Sequence, residues 1–368
     1  MTIRIASFNM ENLFTRPLAL SDEGRLAGRH AVEHHAELNT IVEKASYNQH
    51  DKQRLLALDD VYRFSSLNAP SNSYLVLNRI RGQLYSRART GAVTVVAGGR
   101  ADWTGWFELR MGEVTWAATY NTARVIAGVN PAILVCVEVE SRPTLGRFNH
   151  QLLQAQFNLG YAHHMVIDGN DERGIDVGLL SRYPIRSMAS HVDDLRPDGS
   201  HIFSRDCPEY WIALGDGSEL LVLPNHFKSK RGGDTPAMRA RRRAQAERAH
   251  AIALAGLRRT PYVLIAGDLN DTPAQPLFDS LWQDGFADIQ SHPSYPADRP
   301  GTYGTGTAAN KIDYLIMSPA LQQRLQAAGI ARQGSYHPTL WQPYDTVTKT
   351  SDEASDHHLL WADFDLPS

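Results

Sequence analysis

Short runs of apolar residues recur along the chain, and each run is bordered by polar residues. These runs cover residues 3–8, 132–137, 177–180, 220–223, 262–266, 312–317 and 359–364. Near-continuous apolar runs of this length are typical of strands that are buried on both faces. Loops at the ends of such strands commonly carry the chemistry of a protein, because a rigid scaffold holds them in place. The pattern predicts an α/β protein whose functional residues lie at the ends of buried strands.

Two helices are predicted from the signals at their ends. The first covers about residues 119–129 and stops before Pro131, because proline disfavours helical backbone in the residue that precedes it. The second begins with Thr235 as its cap and Pro236 in the first helical position, and it extends to about residue 257. Arginines near its start face the positive end of the helix dipole, so an anionic partner or water would relieve their repulsion. These arginines are Arg239, Arg241, Arg242 and Arg243.

The stretch from about residue 14 to residue 113 interrupts the pattern. Residues 31–58 have the composition of a helix, and residues 74–80 and 92–97 have that of strands next to glycine turns. Between residues 79 and 110 there are six arginines and two acids, together with Trp103, Trp106 and Phe107. We interpret the stretch as an insertion in a single domain that spans residues 1–368. Arginines together with aromatic residues are typical of a surface that binds single-stranded nucleic acid or a flipped-out base. The alternative is that the stretch is a scaffold that only packs on the rest of the domain.

Length and composition are those of an ordinary globular protein. The chain has 368 residues, of which 42% are hydrophobic and 21% are charged. It contains no run of roughly 18 apolar residues, which a membrane helix needs, and its start has the pattern of a strand rather than of a secretory leader. For the sequence as given we therefore expect a cytoplasmic protein without a membrane segment, and the alternative is a secreted protein whose leader has been removed. The two cysteines, Cys136 and Cys207, are too few for a disulfide framework or a zinc site.

The basic residues are unevenly distributed, although the net charge of −3 says little about partners. Between residues 228 and 259 there are ten Lys or Arg and only two acids. We call this segment the basic block. It can be a surface that faces phosphate, or it can be the solvated face of a helix. The sequence leaves both interpretations open.

Residues that could bind a metal or move a proton lie beside the predicted strands. Carboxylate and amide oxygens are the ligands that Mg²⁺ and Mn²⁺ prefer, and histidine exchanges protons near neutral pH. With an activated water, these groups are what the hydrolysis of a phosphoester requires. A carboxylate inside a buried strand, such as Asp313, is unfavourable unless it is paired. The full set is Asn9, Glu138, His226, Asp268, Asn270, Asp313, Asp356 and His357.

Seven short motifs follow one another along the chain. They are ASFN at 6–9, NPAILVCVEV at 130–139, RGIDVGLLSR at 173–182, NHFKSK at 225–230, GDLN at 267–270, KIDYL at 311–315 and SDH at 355–357. In form and order they resemble the motifs of the endonuclease/exonuclease/phosphatase superfamily, which includes pancreatic-type deoxyribonucleases, abasic-site endonucleases and neutral sphingomyelinases. The form NHFKSK resembles bacterial nuclease members. The resemblance covers residues 1–13 and about 117–368, and the insertion departs from it.

The resemblance implies a four-layer α-β-β-α sandwich of two mixed sheets, with a large insertion after the first strand. It also implies a site for Mg²⁺ or Mn²⁺, in which Glu138 ligates the metal with Asn9 and Asp356 close by. Asp268 would position or deprotonate the attacking water, and Asn270 would hold the scissile phosphate and the nucleophile.

The same resemblance implies roles for the histidines. His226 and His357 would bracket the phosphate, and Asp313 would orient His357 through a hydrogen bond. Asp176 would orient His226 in the same way, because its strand is a neighbour in the family fold. We assign contacts with substrate to a further set of residues, namely Arg173, Asn225, Lys228 and Lys230.

Three functions follow from these observations. The first is a metal-dependent nuclease that acts on DNA or RNA, which the basic block and the NHFKSK motif favour. The second is a phosphoesterase that uses the same site on a lipid or a small phosphorylated metabolite, although the sequence shows no clear apolar loop for a lipid. The third is a catalytically inactive binding module, and the complete set of site residues argues against it. No protein partner is implied, and the oligomeric state stays open.

Overall fold

The chain forms two compact units. The computed structural model describes residues 2–13, 26–66, 74–109, 116–171, 174–230 and 233–367. One unit combines Met1–Phe14 with Val114–Ser368, and we call it the sandwich unit. The other is Thr15–Glu113, which we call the insertion unit.

The described elements include both strands and helices along the whole chain. The first part of the chain contains β1 (Thr2–Leu13), α1 (Leu26–Val42), α2 (Gln49–Tyr62), β2 (Leu75–Arg81), β3 (Tyr85–Arg87), β4 (Val93–Val95), β5 (Thr104–Leu109), α3 (Trp116–Val129), β6 (Ile133–Val139), α4 (Arg142–Phe148), α5 (Ala155–Phe157), β7 (His163–Val166) and β8 (Asp176–Ser181). The second part contains β9 (Ile185–Ala189), β10 (Glu209–Ala213), β11 (Glu219–His226), α6 (Pro236–Gly256), β12 (Tyr262–Asp268), β13 (Ala287–Asp288), β14 (Asp313–Met317), α7 (Pro319–Gln322), β15 (Leu325–Ala331) and β16 (Leu359–Asp365). Each of the seven apolar runs is a strand, as predicted.

Two six-stranded mixed sheets form the centre of the sandwich unit. The first has the order β15-β16-β1-β6-β8-β7, and the second has the order β13-β14-β12-β11-β10-β9. In the first sheet β1 is parallel to β6 and antiparallel to β16. In the second, β12 is parallel to β11 and antiparallel to β14. In each sheet one parallel pair thus lies among antiparallel strands.

The sheets pack face to face, with helices on their outer faces. One core cluster joins inward residues of both sheets, such as Val135 and Val222. A second cluster joins the first sheet to α3, as Leu134 and Ile126 illustrate. A third joins the second sheet to α6, for example through Leu221. Because central strands are covered on both faces, their sequences are nearly continuously apolar, and the four-layer α-β-β-α sandwich is confirmed.

Both predicted helices are present, with the expected ends. Helix α3 ends before Asn130, whose φ of 55° leaves the helical region. Helix α6 is capped by Thr235, whose side chain accepts a hydrogen bond from the backbone N of Met238 at 3.3 Å. The predicted bounds are therefore correct to within a few residues.

The insertion unit has a core of its own. Trp103 is fully buried and its Nε1 donates to the Tyr47 hydroxyl at 2.8 Å. Residues 31–58 fall into two helices, α1 and α2, because Asn48 starts α2 with a capping box formed with Asp51. The unit also contains two antiparallel ribbons, β2 with β5 and β3 with β4.

Two further expectations can be compared with the described residues. Cys136 and Cys207 are both buried and free, as expected for residues without a disulfide role. In the described part of the chain, no helix combines the length and the apolar character that crossing a membrane requires.

Candidate active site

His226, Asp268 and Asp313 form a row across three neighbouring strands of the second sheet. His226 is opposite Asp268 in the β11–β12 ladder, and Asp268 is opposite Asp313 in the β12–β14 ladder. Residues directly opposite each other project from the same face of a sheet. All three are at most 4% exposed. The register therefore brings together three side chains that are far apart in the sequence.

The first sheet contributes Asn9 and Glu138. The register of β6 against β8 shifts between Val137 and Val139, so Glu138 is an extra residue in its strand, with a φ of 62°. Bulges of this kind redirect a side chain. Glu138 Oε1 lies 3.5 Å from Asn9 Nδ2 and 3.9 Å from His226 Nε2. Because His226 belongs to the other sheet, the site lies where the two sheets meet.

The carboxylate of Asp268 is held by amides from both sheets. Asn270 donates to it from its backbone N at 2.8 Å and from Nδ2 at 3.1 Å, and Asn9 Nδ2 donates at 3.2 Å. Asn270 has a φ of 55°, a conformation that asparagine tolerates. Gly267 is required because a Cβ there would lie 2.0 Å from Asn225 O. The GDLN motif is thus a turn that directs two donors at one carboxylate.

Burial changes the acidity of Asp268. It raises the pKa of this carboxyl to about 7, and the nearby charge of Asp313 acts in the same direction. His226 Nε2 lies 3.6 Å from Asp268 Oδ2, and His357 Nε2 lies 3.9 Å from the same atom. A carboxyl group with this pKa can accept a proton near neutral pH.

Asp313 and His357 form a buried pair. Asp313 Oδ2 lies 2.9 Å from His357 Nδ1 and also accepts a hydrogen bond from Thr302 Oγ1 at 2.7 Å. Burial lowers the pKa of His357, but the carboxylate of Asp313 outweighs this effect and raises it well above the usual value. The pairing leaves Nε2 directed at Asp268 and fixes the ring orientation, as carboxylate partners of histidine do.

Asp356 and Glu138 provide oxygen atoms at the edge of this site. Asp356 has a side chain that is 41% exposed, and its Oδ1 lies 3.8 Å from His357 Nε2. Burial raises the pKa of Glu138, an effect that the charge of His357 partly offsets. Carboxylates whose ionised form is disfavoured fit a divalent cation, because a bound positive charge favours ionisation. Glu138 and Asp356 thus offer the hard oxygen ligands that Mg²⁺ and Mn²⁺ take. Asn9 faces Glu138 with its Nδ2, and its Oδ1 accepts a hydrogen bond from Glu11 N at 3.1 Å, so its role as a metal ligand stays a prediction.

A second group of possible ligands overlaps with this site. In the described residues, one ligand atom each of Asp268, Asp313 and His357 lies within 4.8 Å of the others. Two of the three are already hydrogen-bonded to each other, which favours proton handling over metal binding for this group. The structure thus brings together all eight residues of the predicted set.

Asp176 lies in a different sheet from His226. Asp176 begins β8 of the first sheet and His226 ends β11 of the second, and the two strands face each other across the sandwich without being hydrogen-bonded. Asp176 Oδ1 accepts a hydrogen bond from the backbone N of Gly169 at 2.9 Å. Burial raises the pKa of Asp176 to about 7. The proposed role of Asp176 in orienting His226 stays a prediction.

The residues assigned to substrate contact are placed in different surroundings. Arg173 lies outside the described residues. Asn225 has no exposed surface, and its Nδ2 donates to Leu223 O at 3.0 Å, so its side chain belongs to the interior of the sheet. Lys228 is partly exposed, and Lys230 forms an ion pair with Asp271. The burial of Asn225 contradicts its assignment to substrate contact, while the roles of the two lysines stay predictions.

The basic block is mainly engaged within the chain. Arg242 is fully buried, and its Nε donates to Asp271 Oδ2 at 3.1 Å. Four further cations form ion pairs: Lys230 with Asp271, Arg239 with Asp234, Arg248 with Asp194 and Arg259 with Glu219. These pairs favour the structural interpretation of the block over a surface that faces phosphate.

Several residues at the site were not predicted. The ring of Tyr303 packs edge to face on that of His357 at 5.0 Å and is 37% exposed. Thr302 precedes it and binds Asp313, while Ser355 Oγ donates to Asn9 O at 2.7 Å and accepts from His357 N at 3.0 Å. Glu11 Oε2 accepts a hydrogen bond from Asp356 N at 2.9 Å. The available signal for Tyr303 and Thr302 was the glycine-rich loop at 301–306, and for Glu11 it was the polar run at 9–12 that follows the first apolar run.

Fold and site together define a class of layered α/β proteins whose members are generally metal-dependent phosphoester hydrolases. The sequence model described as the Endonuclease/Exonuclease/phosphatase family matches residues 118–357. This match covers more than half of the chain, and the chain therefore belongs to this family. The resemblance seen in the seven motifs is confirmed.

Several solved structures are similar to this chain at low sequence identity. Truncated TDP2 from Caenorhabditis elegans is 18% identical, with a TM-score of 0.46, over 67% of this chain and 89% of that chain. An endonuclease/exonuclease/phosphatase from Beutenbergia cavernae is 19% identical, with a TM-score of 0.47, over 68% of this chain and 66% of that chain. Beta toxin from Staphylococcus aureus is 16% identical, with a TM-score of 0.46, over 67% of this chain and 92% of that chain. A search of curated protein sequences gave no match.

Proposed function

We propose that the chain is a divalent-metal-dependent phosphodiester hydrolase and that its substrate is a nucleic acid. The observation that carries the proposal is the position of Asn9, whose Nδ2 lies 3.2 Å from Asp268 Oδ2 and 3.5 Å from Glu138 Oε1. Glu138, the candidate metal ligand, and Asp268, the candidate base, thus lie on either side of the Asn9 amide. His226 and His357 border the same space. These are the groups with which water can be made to attack a phosphodiester.

Glu138 and Asp356 would hold Mg²⁺ or Mn²⁺, and Asn9 would orient Glu138 through its Nδ2. These ions usually keep several waters and take few protein ligands, so two carboxylates at a partly exposed edge suffice. When bound, the ion polarises the phosphoryl oxygen and lowers the pKa of a bound water.

Asp268 would take the proton of the attacking water. The two hydrogen bonds from Asn270, at 2.8 and 3.1 Å, fix the carboxylate in one orientation. Its pKa of about 7 is near the value that suits a general base at neutral pH. Asn270 Nδ2 lies beside this base and would contact the phosphate as the water attacks.

The two histidines would act on the phosphate from either side of Asp268. The raised pKa of His357 keeps its ring protonated near neutral pH, so a positive charge lies where negative charge develops in the transition state. The Nε2 proton can also pass to the leaving oxygen. Asp313 holds the ring in position for both tasks.

The insertion unit, rather than the basic block, supports a nucleic acid as substrate. Residues 74–109 contain five arginines and two acids, whereas the basic block is largely paired within the chain. Contacts with phosphates dominate the affinity of proteins for nucleic acids. A lipid or a small phosphorylated metabolite is the other substrate class for the same site.

A panel of substrates tests the proposal. Plasmid DNA, linear duplex, single-stranded DNA, RNA, sphingomyelin vesicles and inositol phosphates are incubated with the protein and Mg²⁺ or Mn²⁺. We expect cleavage of nucleic acid that EDTA abolishes and added metal restores. Glu138→Gln should lose this activity with an unchanged circular dichroism spectrum, and Glu247→Gln, which changes an exposed carboxylate on α6, should keep it.

Two results would contradict the proposal. Undiminished turnover in EDTA would exclude the metal. Hydrolysis of sphingomyelin or inositol phosphates without any cleavage of nucleic acid would replace the assigned substrate class.

A further inference from the structure

The ribbon formed by β2 and β5 in the insertion unit has two faces that differ in burial. On one face Leu77 pairs with Phe107, and both pack into the core of the unit. On the other face Trp106 lies opposite Asn78 and is 43% exposed. Ile80, two residues after Asn78, is 72% exposed. Because the inner face already completes the core, the exposed tryptophan and isoleucine are available to a partner.

The arginines on either side of Ile80 are not neutralised. Arg79 and Arg81 are exposed. Arg81 Nη2 donates to the carbonyl O of Ala101 at 3.0 Å, which leaves its charge uncompensated. Within the residues that the structure describes, the side chain of Arg79 forms neither a hydrogen bond nor an ion pair.

The adjoining hairpin of β3 and β4 adds two more such cations. Arg87 donates to Gly91 O and to Ser65 Oγ, at 3.3 and 3.0 Å. Arg89 is exposed, and it has no hydrogen-bond or ion-pair partner among the described residues. Neither arginine is therefore paired with a carboxylate.

The two acids of the same segment accept hydrogen bonds from neutral groups, and neither forms an ion pair with these arginines in the described part of the chain. Asp102 Oδ2 accepts a hydrogen bond from Gly98 N at 2.6 Å, and Glu108 Oε2 accepts one from Asn78 Nδ2 at 2.6 Å. By contrast, Arg54 on α2 binds both oxygens of Glu37, at 2.6 and 2.7 Å. The insertion unit thus pairs the structural Arg54 with an acid, whereas the arginines of the two ribbons have no carboxylate partner among the described residues.

We propose that the exposed end of the β2–β5 ribbon, which carries Trp106, Ile80, Arg79 and Arg81 and which we call the ribbon surface, binds single-stranded nucleic acid, with Arg87 and Arg89 of the hairpin as further cations of the same unit that have no acid partner among the described residues. This inference rests on the proposed function and names its preferred form of substrate. Guanidinium groups without acid partners bind phosphates. The exposed ring of Trp106 offers a base a surface for stacking, which is tolerant of sequence. In a duplex the faces of the bases are covered by their neighbours, so the ring favours a single strand.

Binding is measured without cleavage, in EDTA, by the fluorescence anisotropy of a labelled 20-nucleotide oligothymidylate and of a duplex of the same length. We expect the single strand to bind more tightly than the duplex. Trp106→Ala should weaken single-strand binding by roughly 5- to 140-fold, as expected for the loss of one stacked base, and Trp106→Phe should retain most of the affinity. Arg79→Gln with Arg81→Gln should lower the slope of log affinity against log salt by about 1.4, or about 0.7 per lost phosphate contact.

Arg54→Gln is the matched control, because it removes the same charge from the same unit at a paired position. It should leave affinity and salt dependence unchanged. Equal affinities of wild type, Trp106→Ala and the double arginine variant would overturn the proposal. A second result would also overturn it. If the wild type bound vesicles of phosphatidylcholine and phosphatidylserine, and these variants lost vesicle binding but bound the oligonucleotide normally, the surface would be a membrane-binding surface.

The outcome for the surface can be distinguished from that for the proposed function. If oligonucleotides bind through these residues but are not hydrolysed with Mg²⁺ or Mn²⁺, the surface stands and the proposed nuclease activity is wrong. If they are hydrolysed while the variants bind normally, the activity stands and the surface is wrong.

Discussion

Asp313 Oδ2 lies 2.9 Å from His357 Nδ1, although the two residues belong to different sheets. Asp313 begins β14 of the second sheet, and His357 precedes β16 of the first. Thr302 holds the carboxylate and Ser355 holds the backbone N of the histidine. The proposed proton donor is therefore fixed by groups from both halves of the sandwich.

The first prediction concerns this pair. If Asp313 acts only by orienting and charging His357, then Asp313→Asn in the His357→Ala background should add little further loss. Groups that act as a unit are non-additive. The kcat of the two single variants and of the double variant on the best substrate gives the coupling. Losses that multiply would show that the two residues act independently.

The second prediction concerns the base. Asp268→Asn keeps the shape of the side chain but removes its ability to accept a proton. We expect kcat to fall by about 10²–10⁴-fold, the usual contribution of general acid–base catalysis, while KM changes little because the loss is confined to the transition state. Asp279→Asn, at an exposed position, is the control. A variant that keeps a tenth of the wild-type kcat would exclude this role for Asp268.

Local patterns in the sequence predicted the buried strands and the residue types of the site, whereas the four layers were implied by the resemblance of the seven motifs to a known family. Apolar runs identify buried strands, and the polar residues that follow them identify the edge at which side chains converge. The register that aligns His226, Asp268 and Asp313 is consistent with this pattern, since all three lie at matching ends of adjacent strands.

Features that depend on distant partners could not be predicted in this way. The bulge that redirects Glu138 arises from the pairing of β6 with β8. Arg242 and Asp271 are 29 residues apart, and nothing near either residue indicates that they are buried together. Tyr303 meets His357 only because a loop folds back across the site.

The third prediction follows from the burial of Arg242. Its side chain is fully buried and bonds Asp271, which is 1% exposed, and the carbonyl O of Lys228 at 3.2 Å. Arg242→Met would leave the Asp271 carboxylate buried without this partner. Lys230 remains as a second cation beside Asp271, so we expect the free energy of unfolding in urea to fall by about 1–3 kcal/mol, the range for hydrogen bonds to charged groups.

Arg243→Met is the matched control for this prediction, since Arg243 is the next residue and is exposed. It should change the free energy of unfolding by no more than about 0.5 kcal/mol. If both variants lost the same stability, the helix rather than the buried pair would be responsible.

The last prediction concerns the pH dependence of stability, and it depends on His191. Both ring nitrogens face carboxylates, with Nδ1 3.0 Å from Asp194 Oδ2 and Nε2 3.0 Å from Glu209 Oε1. Burial lowers the pKa of His191, but the hydrogen bond to Glu209 and the charge of Asp194 outweigh burial and raise it. A neutral ring can donate from one nitrogen only, so the arrangement is satisfied when the ring is protonated. Arg248, whose Nε binds Asp194 at 2.6 Å, acts in the opposite direction on the pKa.

Because the folded protein binds this proton more tightly than the unfolded chain does, the contribution of His191 to stability is fully present below the unfolded pKa of about 6.5 and is lost as pH rises through the higher folded pKa. His191→Gln should therefore lower the free energy of unfolding by about 1–3 kcal/mol at pH 5.5, the range for hydrogen bonds to charged groups, and by less at pH 9. Urea denaturation of wild type and variant at several pH values measures this difference. A difference for His191→Gln that stayed constant or grew with pH would show that the ring is not held as a cation between the two acids.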